Sequence, residues 1–190
     1  MSTLIAVAVA MSLMADPAPA AAPALNDPQI ATVALTAHQI DIERGKLAQK
    51  KAKTAEVKQF ADQMVNDHSQ GLKEVQALAK KLKVKPQESD VTKGLKSEAK
   101  DKLLLLKKLD GADFEKAYMD TEVGYHEAVL AAIDQALIPG AKNEELKTAL
   151  TNTRPTIAGH LEHAKGVQKL VSGAAEKPAE KPADKPAEKK

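Results

Sequence analysis

Five side chains that can ligate a metal ion fall on the apolar faces of segments with helical periodicity. In a helix each residue turns the chain by about 100°, so the direction of a side chain follows from its spacing to apolar neighbours. On this basis His68 and Glu122 point along the centres of their apolar faces, and the others lie within about 50° or one turn of a centre. The set is Asp41, His68, Glu122, His126 and His160. We predict that these side chains meet inside the protein.

The heights of these residues along their helices support that prediction. Counted from the turns at about 1.5 Å per residue, Asp41 and His68 differ in height by about 5 Å, and Glu122 and His160 by about 3 Å. Inward polar groups of neighbouring helices can therefore meet. Three further polar residues lie about 100° from the centres of their apolar faces, and we predict them at the margins: His38, Glu43 and His163.

The predicted set has two interpretations. Imidazole and carboxylate ligands suit a divalent zinc, copper, manganese or iron ion, and the chain has no Cys that could add a thiolate. The alternative is a buried hydrogen-bonded network that fixes helix register. A di-iron site needs Glu-x-x-His on two helices, but Val65 and Ile157 stand three residues before His68 and His160. An oxygen-activating di-iron enzyme is therefore disfavoured.

Composition and motifs leave enzymatic activity open and favour a protein that is not an enzyme. The sequence lacks G-x-S-x-G, a glycine-rich phosphate loop and H-E-x-x-H, so we predict no catalytic and no cofactor-binding residues. A net charge of +2 and only two Phe and two Tyr disfavour nucleic acid as a partner. Tyr118 and Tyr125 are predicted to be core aromatics.

Helical periodicity spans the chain between its two ends. An Asx cap and a proline start the first helix at Asn26-Asp27-Pro28, and Pro155 is predicted to kink the last. Short turns make hairpins of helices 1–2 and 4–5, while the long connection between helices 2 and 4 permits a crossover. The fold predicted is all-α, a ferritin-like four-helix bundle with an additional short helix in the crossover between bundle helices 2 and 3. The helices are expected at about 27–51, 54–82, 91–109, 112–137 and 143–171.

The run of four leucines at 103–106 exceeds one helix face. We therefore predict that helix 3 is covered on more than one side.

Both ends differ from this domain, which we place at 27–172. Residues 4–14 are apolar and uncharged and precede two A-x-A sequences, a pattern typical of a secretory signal peptide over 1–24. We therefore expect a periplasmic or secreted protein without a transmembrane helix, with outer-membrane association open. Residues 173–190 repeat A-E-K-P and are predicted to be a disordered tail. This tail offers a contact to the cell envelope, and a homodimer stays open.

Several segments together resemble a known family. They are D-I-E-R-G-K-L-A from Asp41, E-V-K-Q-F-A-D-Q-M-V-N-D-H from Glu56, L-D-G-A-D-F-E-K-A-Y-M from Leu109, His126, and R-P-T-I-A-G-H-L from Arg154. The chain resembles the bacterial secreted proteins grouped as domain of unknown function 4142, which are ferritin-like and often labelled outer membrane proteins. Two positions depart from that pattern: Tyr125 replaces an Asp before His126, and Arg44 replaces a Leu. The resemblance implies the fold and an envelope location, and no activity.

The sequence therefore predicts a secreted helical-bundle protein that binds a metal ion through inward histidines and carboxylates. The alternative is a structural or stress-related envelope protein whose buried histidines form a packing network.

Overall fold

The computed structural model describes residues 24–175, which are helical nearly throughout and contain no strand. The prediction of an all-α fold is confirmed. The elements are α1 (Asp27–Lys51), α2 (Ala55–Lys81), α3 (Asp90–Lys108), α4 (Gly111–Ala132), a π-helical turn (Ile133–Leu137), the short α5 (Ile138–Gly140) and α6 (Glu144–Ala175).

The ends of the helices follow local chemistry. At the start of α1 the Asn26 side chain accepts a hydrogen bond from the backbone of Gln29, whose own side chain accepts from the backbone N–H of Asn26. This capping box satisfies two amides that the helix leaves free. Helix α4 stabilises the turn between α1 and α2, because its buried Glu115 carboxylate accepts hydrogen bonds from the backbone N–H groups of Lys53 and Thr54.

Two helix pairs form the body of the bundle: α1 packs along α2, and α4 packs along α6. Gly45 permits the close approach of α1 to α2, because a Cβ there would lie 2.8 Å from Val65 Cγ2. Further contacts of α1 with α4 and of α2 with α6 close the bundle.

The core has two apolar clusters at opposite ends of the bundle. The first contains Phe60, Met64, Phe114 and Tyr118, all fully buried. The second contains residues from α1, the π-helical turn and the first half of α6: Ile30, Val33, Ile133, Leu137, Leu146, Leu150 and Ile157. Along α1, α2, α4 and α6, the predicted metal ligands lie between the two clusters.

Helix α3 is the least buried of the long helices. It lies against α1 and, less extensively, α4, and of its residues only Thr92 and Leu106 are buried. Leu104 and Leu105 are 46 % and 50 % exposed. The prediction that the leucine run is covered on more than one side is therefore wrong, because α3 has neighbours on one face only.

None of the helices within residues 24–175 is both long enough and apolar enough to cross a membrane. Pro155 lies inside α6, which continues through it. The predicted signal peptide and most of the predicted tail lie outside the described residues.

Candidate metal centre

All five predicted ligands are buried, at most 3 % exposed, in the layer between the apolar clusters. Four helices contribute them: α1 contributes Asp41, α2 His68, α4 Glu122 and His126, and α6 His160. The structure brings them together as two overlapping groups. In each group one ligand atom per residue lies within 4.8 Å of the others: His68, His126 and His160, and Asp41, Glu122 and His126.

The three histidine rings form a triangle in the middle of the bundle. The ring centroids of His68 and His160 are 5.2 Å apart, those of His126 and His160 5.6 Å, and those of His68 and His126 5.9 Å. The expected meeting of Asp41 with His68 is confirmed by a separation of 3.5 Å between Asp41 Oδ2 and His68 Nε2.

Each of the three rings has one nitrogen engaged by the surrounding protein. His126 Nδ1 donates to the backbone carbonyl of Glu122 at 2.9 Å, and His160 Nε2 donates to Asp67 Oδ2 at 2.9 Å. His68 Nδ1 lies 3.0 Å from His38 Nδ1, so one of these two nitrogens donates to the other. Such bonds fix the orientation and tautomer of metal-ligating histidines.

The second nitrogen of each ring has no hydrogen-bond partner among residues 24–175: His68 Nε2, His126 Nε2 and His160 Nδ1. A buried nitrogen without a partner is costly, and three in one cluster are unusual. With His68 as the donor to His38, all three unpartnered nitrogens present lone pairs. This is the donor set that a transition-metal ion requires.

A buried arginine occupies the centre of the second group. Arg44, 2 % exposed, places Nη2 2.8 Å from Asp41 Oδ1 and Nε 3.0 Å from Glu122 Oε1. Its guanidinium also lies 3.9 Å from the centroid of the Tyr125 ring, in a cation–π arrangement. The guanidinium of Arg44 therefore already contacts the carboxyl groups of both Asp41 and Glu122.

One guanidinium cannot balance two buried carboxylates, and the pKa values of the two acids diverge accordingly. Burial raises the pKa of Asp41, but Arg44 and the nearby histidines outweigh burial and bring it to about 2. Burial raises the pKa of Glu122 well above its ordinary value, and the charge on Asp41 raises it further against the opposing effect of Arg44. We conclude that Asp41 is the ion-pair partner of Arg44, while burial and the charge on Asp41 favour the protonated form of Glu122.

Burial also favours the neutral forms of His38, His68 and His126. Burial lowers the pKa of His68 to about 4, against the opposing effect of Asp41, and the neighbouring His38, His160 and His126 lower it further. Burial likewise lowers the pKa values of His38 and His126. A neutral imidazole is the form that binds a metal.

A polar cleft between α2 and α6 leads to this cluster. Its volume is about 740 Å³, and His68 and His160 lie among its lining residues. Four carboxylates line the same cleft: Asp67, Glu74, Glu144 and Glu145. The cleft therefore offers a cation a route with acidic walls from solvent to the histidines.

Comparison with known protein families assigns this helical domain. A family model described as Domain of unknown function (DUF4142) matches residues 12–167. The chain belongs to the DUF4142 family. The searches of curated proteins and of solved structures found no match. The predicted family is thus confirmed.

One residue of this DUF4142 domain, His38, is placed differently from the prediction. His38 was expected at the margin of the bundle but is only 8 % exposed and contacts His68. Its ring packs over Gly71, where a Cβ would lie 2.5 Å from His38 Cε1. Glu43 is exposed and His163 half-buried, as expected for margin positions.

Arg44 departs from the family pattern in the sequence, but its place in the site was not predicted. Its position one turn after Asp41 was the available signal, because residues three apart on a helix can pair. The partner on α4, Glu122, could not be inferred from α1 alone.

Proposed function

We propose that this DUF4142 domain binds one divalent transition-metal ion through His68, His126 and His160. The observation that carries the proposal is the set of three buried imidazole nitrogens without hydrogen-bond partners among residues 24–175, each on a ring held through its other nitrogen. Three imidazole nitrogen ligands leave at least one coordination position open, as in zinc sites with three histidines.

The donor set favours zinc or copper over manganese. Imidazole suits zinc and copper, whereas manganese prefers oxygen ligands. The two nearest carboxylates, those of Asp41 and Glu122, are engaged by Arg44. In this proposal Asp41 supplies nearby negative charge, and the histidines supply the coordinate bonds.

Asp67 has a positioning role in the same proposal. Its carboxylate is bonded to His160 Nε2 and is 41 % exposed at the side chain. A carboxylate that accepts the N–H of a ligating histidine raises the basicity of the ring and fixes its orientation. We expect Asp67→Asn to weaken metal affinity about 10-fold to 100-fold without removing the site.

The experiment is a metal titration of the purified chain after chelator treatment. We expect one Zn²⁺ per chain by calorimetry and elemental analysis. For Cu²⁺, we expect an electron paramagnetic resonance spectrum with coupling to three nitrogens. Substitutions His68→Gln, His126→Gln and His160→Gln should each weaken Zn²⁺ binding strongly, since each removes one of three ligands.

His163→Gln is the matched control. His163 lies on α6 close to His160, but its Nδ1 bonds to Gln63 and its ring packs on Phe60. It should bind Zn²⁺ like the wild type. Absence of stoichiometric metal in the wild type, or equal loss in the control, would leave the alternative function, a buried network that fixes helix register. The buried contacts of Arg44 with Asp41 on α1 and with Glu122 on α4 support that alternative.

We further infer that the bundle has the ferritin-like arrangement. The two apolar clusters support this, because α1 and α6 run from the second cluster to the first, and α2 and α4 run from the first to the second. Helices α2 and α4 are then parallel, and α3 belongs to the crossover that returns the chain.

We also propose that the protein is exported to the periplasm or secreted. The support is the apolar segment 4–14 and the small residues after it. Expression of the full chain in a bacterium followed by fractionation and N-terminal sequencing tests this. Recovery of uncleaved protein from the cytoplasm would contradict it.

A further inference from the structure

A second cavity lies on the opposite side of the histidines from the polar cleft. Its volume is about 470 Å³, and residues of α1, α2, α3, α4, the π-helical turn and α6 line it. Protein interiors are normally close-packed, with few voids larger than a water molecule. The volume lies instead within the range of small-molecule binding sites.

Most of the wall is aliphatic. Val33, Ala34, Val129, Ile133 and Leu150 are among the residues that line it. Water needs several polar partners to occupy a cavity stably. These aliphatic residues supply none, and the buried polar groups of the lining are confined to the part near His38, Asp41, Arg44, His68 and His126. An apolar molecule is therefore the occupant that this wall favours.

The shape of the cavity indicates a chain and not a compact ring system. Its lining extends from Val33 to Arg44 on α1 and from Val91 to Lys102 on α3, which at 1.5 Å per residue is a length of about 17 Å. A cavity of about 150 Å³ holds benzene, so 470 Å³ has room for about 18 carbon atoms. Spread over that length, this volume takes one hydrocarbon chain and excludes a lipid with two chains.

The charged groups place the polar head of such a molecule at the mouth. At the inner wall Arg44 is engaged by Asp41 and Glu122. At the outer wall Lys102 and Glu98 are exposed on α3. Helix α3 itself is held by few buried side chains, so it can move aside to admit a chain.

We propose that the cavity beneath α3 binds one single-chain amphiphile of the fatty-acid class, with the aliphatic chain inside and the head at Lys102. The cavity shares His68 and His126 with the proposed metal centre, but binding of a chain there is a different event from binding of an ion. Binding of a chain requires no metal, so the two proposals can fail independently.

The test uses cis-parinaric acid, a fluorescent fatty acid, with metal-stripped full-length protein and hexadecanoic acid as competitor. We expect saturable binding of one probe per chain and its displacement by hexadecanoic acid. The variant Ala132→Phe fills the cavity, since Ala132 lines it, and should weaken binding at least tenfold.

Ala131→Phe is the matched control, because Ala131 is exposed and outside the lining. It should bind the probe like the wild type. If Ala132→Phe proves unstable, Ala99→Phe on the α3 wall replaces it, and thermal unfolding confirms that the variant used is folded. Lack of saturable binding, or unchanged binding in the folded cavity-filling variant, would overturn the proposal.

Discussion

Replacing Arg44 by Met tests how much the buried contacts of Arg44 with Asp41 and Glu122 stabilise the bundle. The substitution keeps a long side chain but removes the cation from Asp41 and Glu122. Because Asp41 stays in a buried site, its charge loses the partner that keeps its pKa at about 2. The expected result is a marked loss of stability in the metal-free protein.

The magnitude follows from two estimates. The shift of the Asp41 pKa from 3.8 to about 2 corresponds to about 2 kcal/mol of stability at neutral pH. Breaking a buried ion pair by removing one partner costs about 3–5 kcal/mol. The larger figure includes the cost of leaving a buried charge without a partner. At about 2–4 °C per kcal/mol for a domain of this size, the Tm should fall by about 10 °C.

Urea and thermal unfolding of chelator-treated protein at pH 7.5 provide the measurement. Arg154→Met is the matched control, since Arg154 makes a two-bond ion pair with Asp134 at 2.6 and 2.7 Å but both side chains are largely exposed. Exposed pairs of this kind contribute little, so its unfolding midpoint should stay near that of the wild type. Equal losses in the two variants would refute the argument that burial makes the Arg44 pairs important.

Two further predictions concern the histidines of the metal-free protein. Because the pKa of His68 is about 4 in the folded chain and 6.5 when unfolded, the free energy of unfolding should fall as pH drops through this window, by about 1.4 kcal/mol per pH unit for this one group. Urea unfolding at several pH values measures it, and an unchanged slope in His68→Gln would contradict the assignment. Gly71→Ala should lower both the Tm and Zn²⁺ affinity, since its Cβ would displace the His38 ring that bonds to His68. Gly166→Ala is the control, because a Cβ at this position meets nothing within 4 Å. It should leave Zn²⁺ affinity unchanged and raise stability by up to about 1 kcal/mol. A loss of Zn²⁺ affinity in this control would mean that replacing a helical glycine, and not displacing the His38 ring, explains the effect of Gly71→Ala.

The helices and the inward direction of His68, Glu122 and His126 could be predicted from sequence. Each of these residues lies on a helix with one clear apolar face, and helical geometry then fixes where the side chain points. The height of Asp41 relative to His68 was also predictable, because a short turn joins α1 and α2 and the rise per residue is constant.

The surroundings of those residues could not be predicted in the same way. His38 lies about 100° from the centre of the apolar face of α1, yet it is buried, because α1 contacts α2, α3 and α4 and so has more than one covered face. The leucines of α3 show the reverse error: an apolar run implied coverage that the neighbouring helices do not supply. Both errors concern which elements pack together, and the periodicity of a single helix does not contain that information.

The position of His38 and His68 gives these rings a further consequence. Both residues line the polar cleft and also the aliphatic cavity beneath α3. Both spaces are also lined by Val75, Leu78, Ala149, Thr153 and Ile157. Two imidazole rings thus form the polar part of a shared wall between an acidic cleft and a mainly aliphatic cavity. Shortening either ring to a methyl group would thin this wall and join the two spaces.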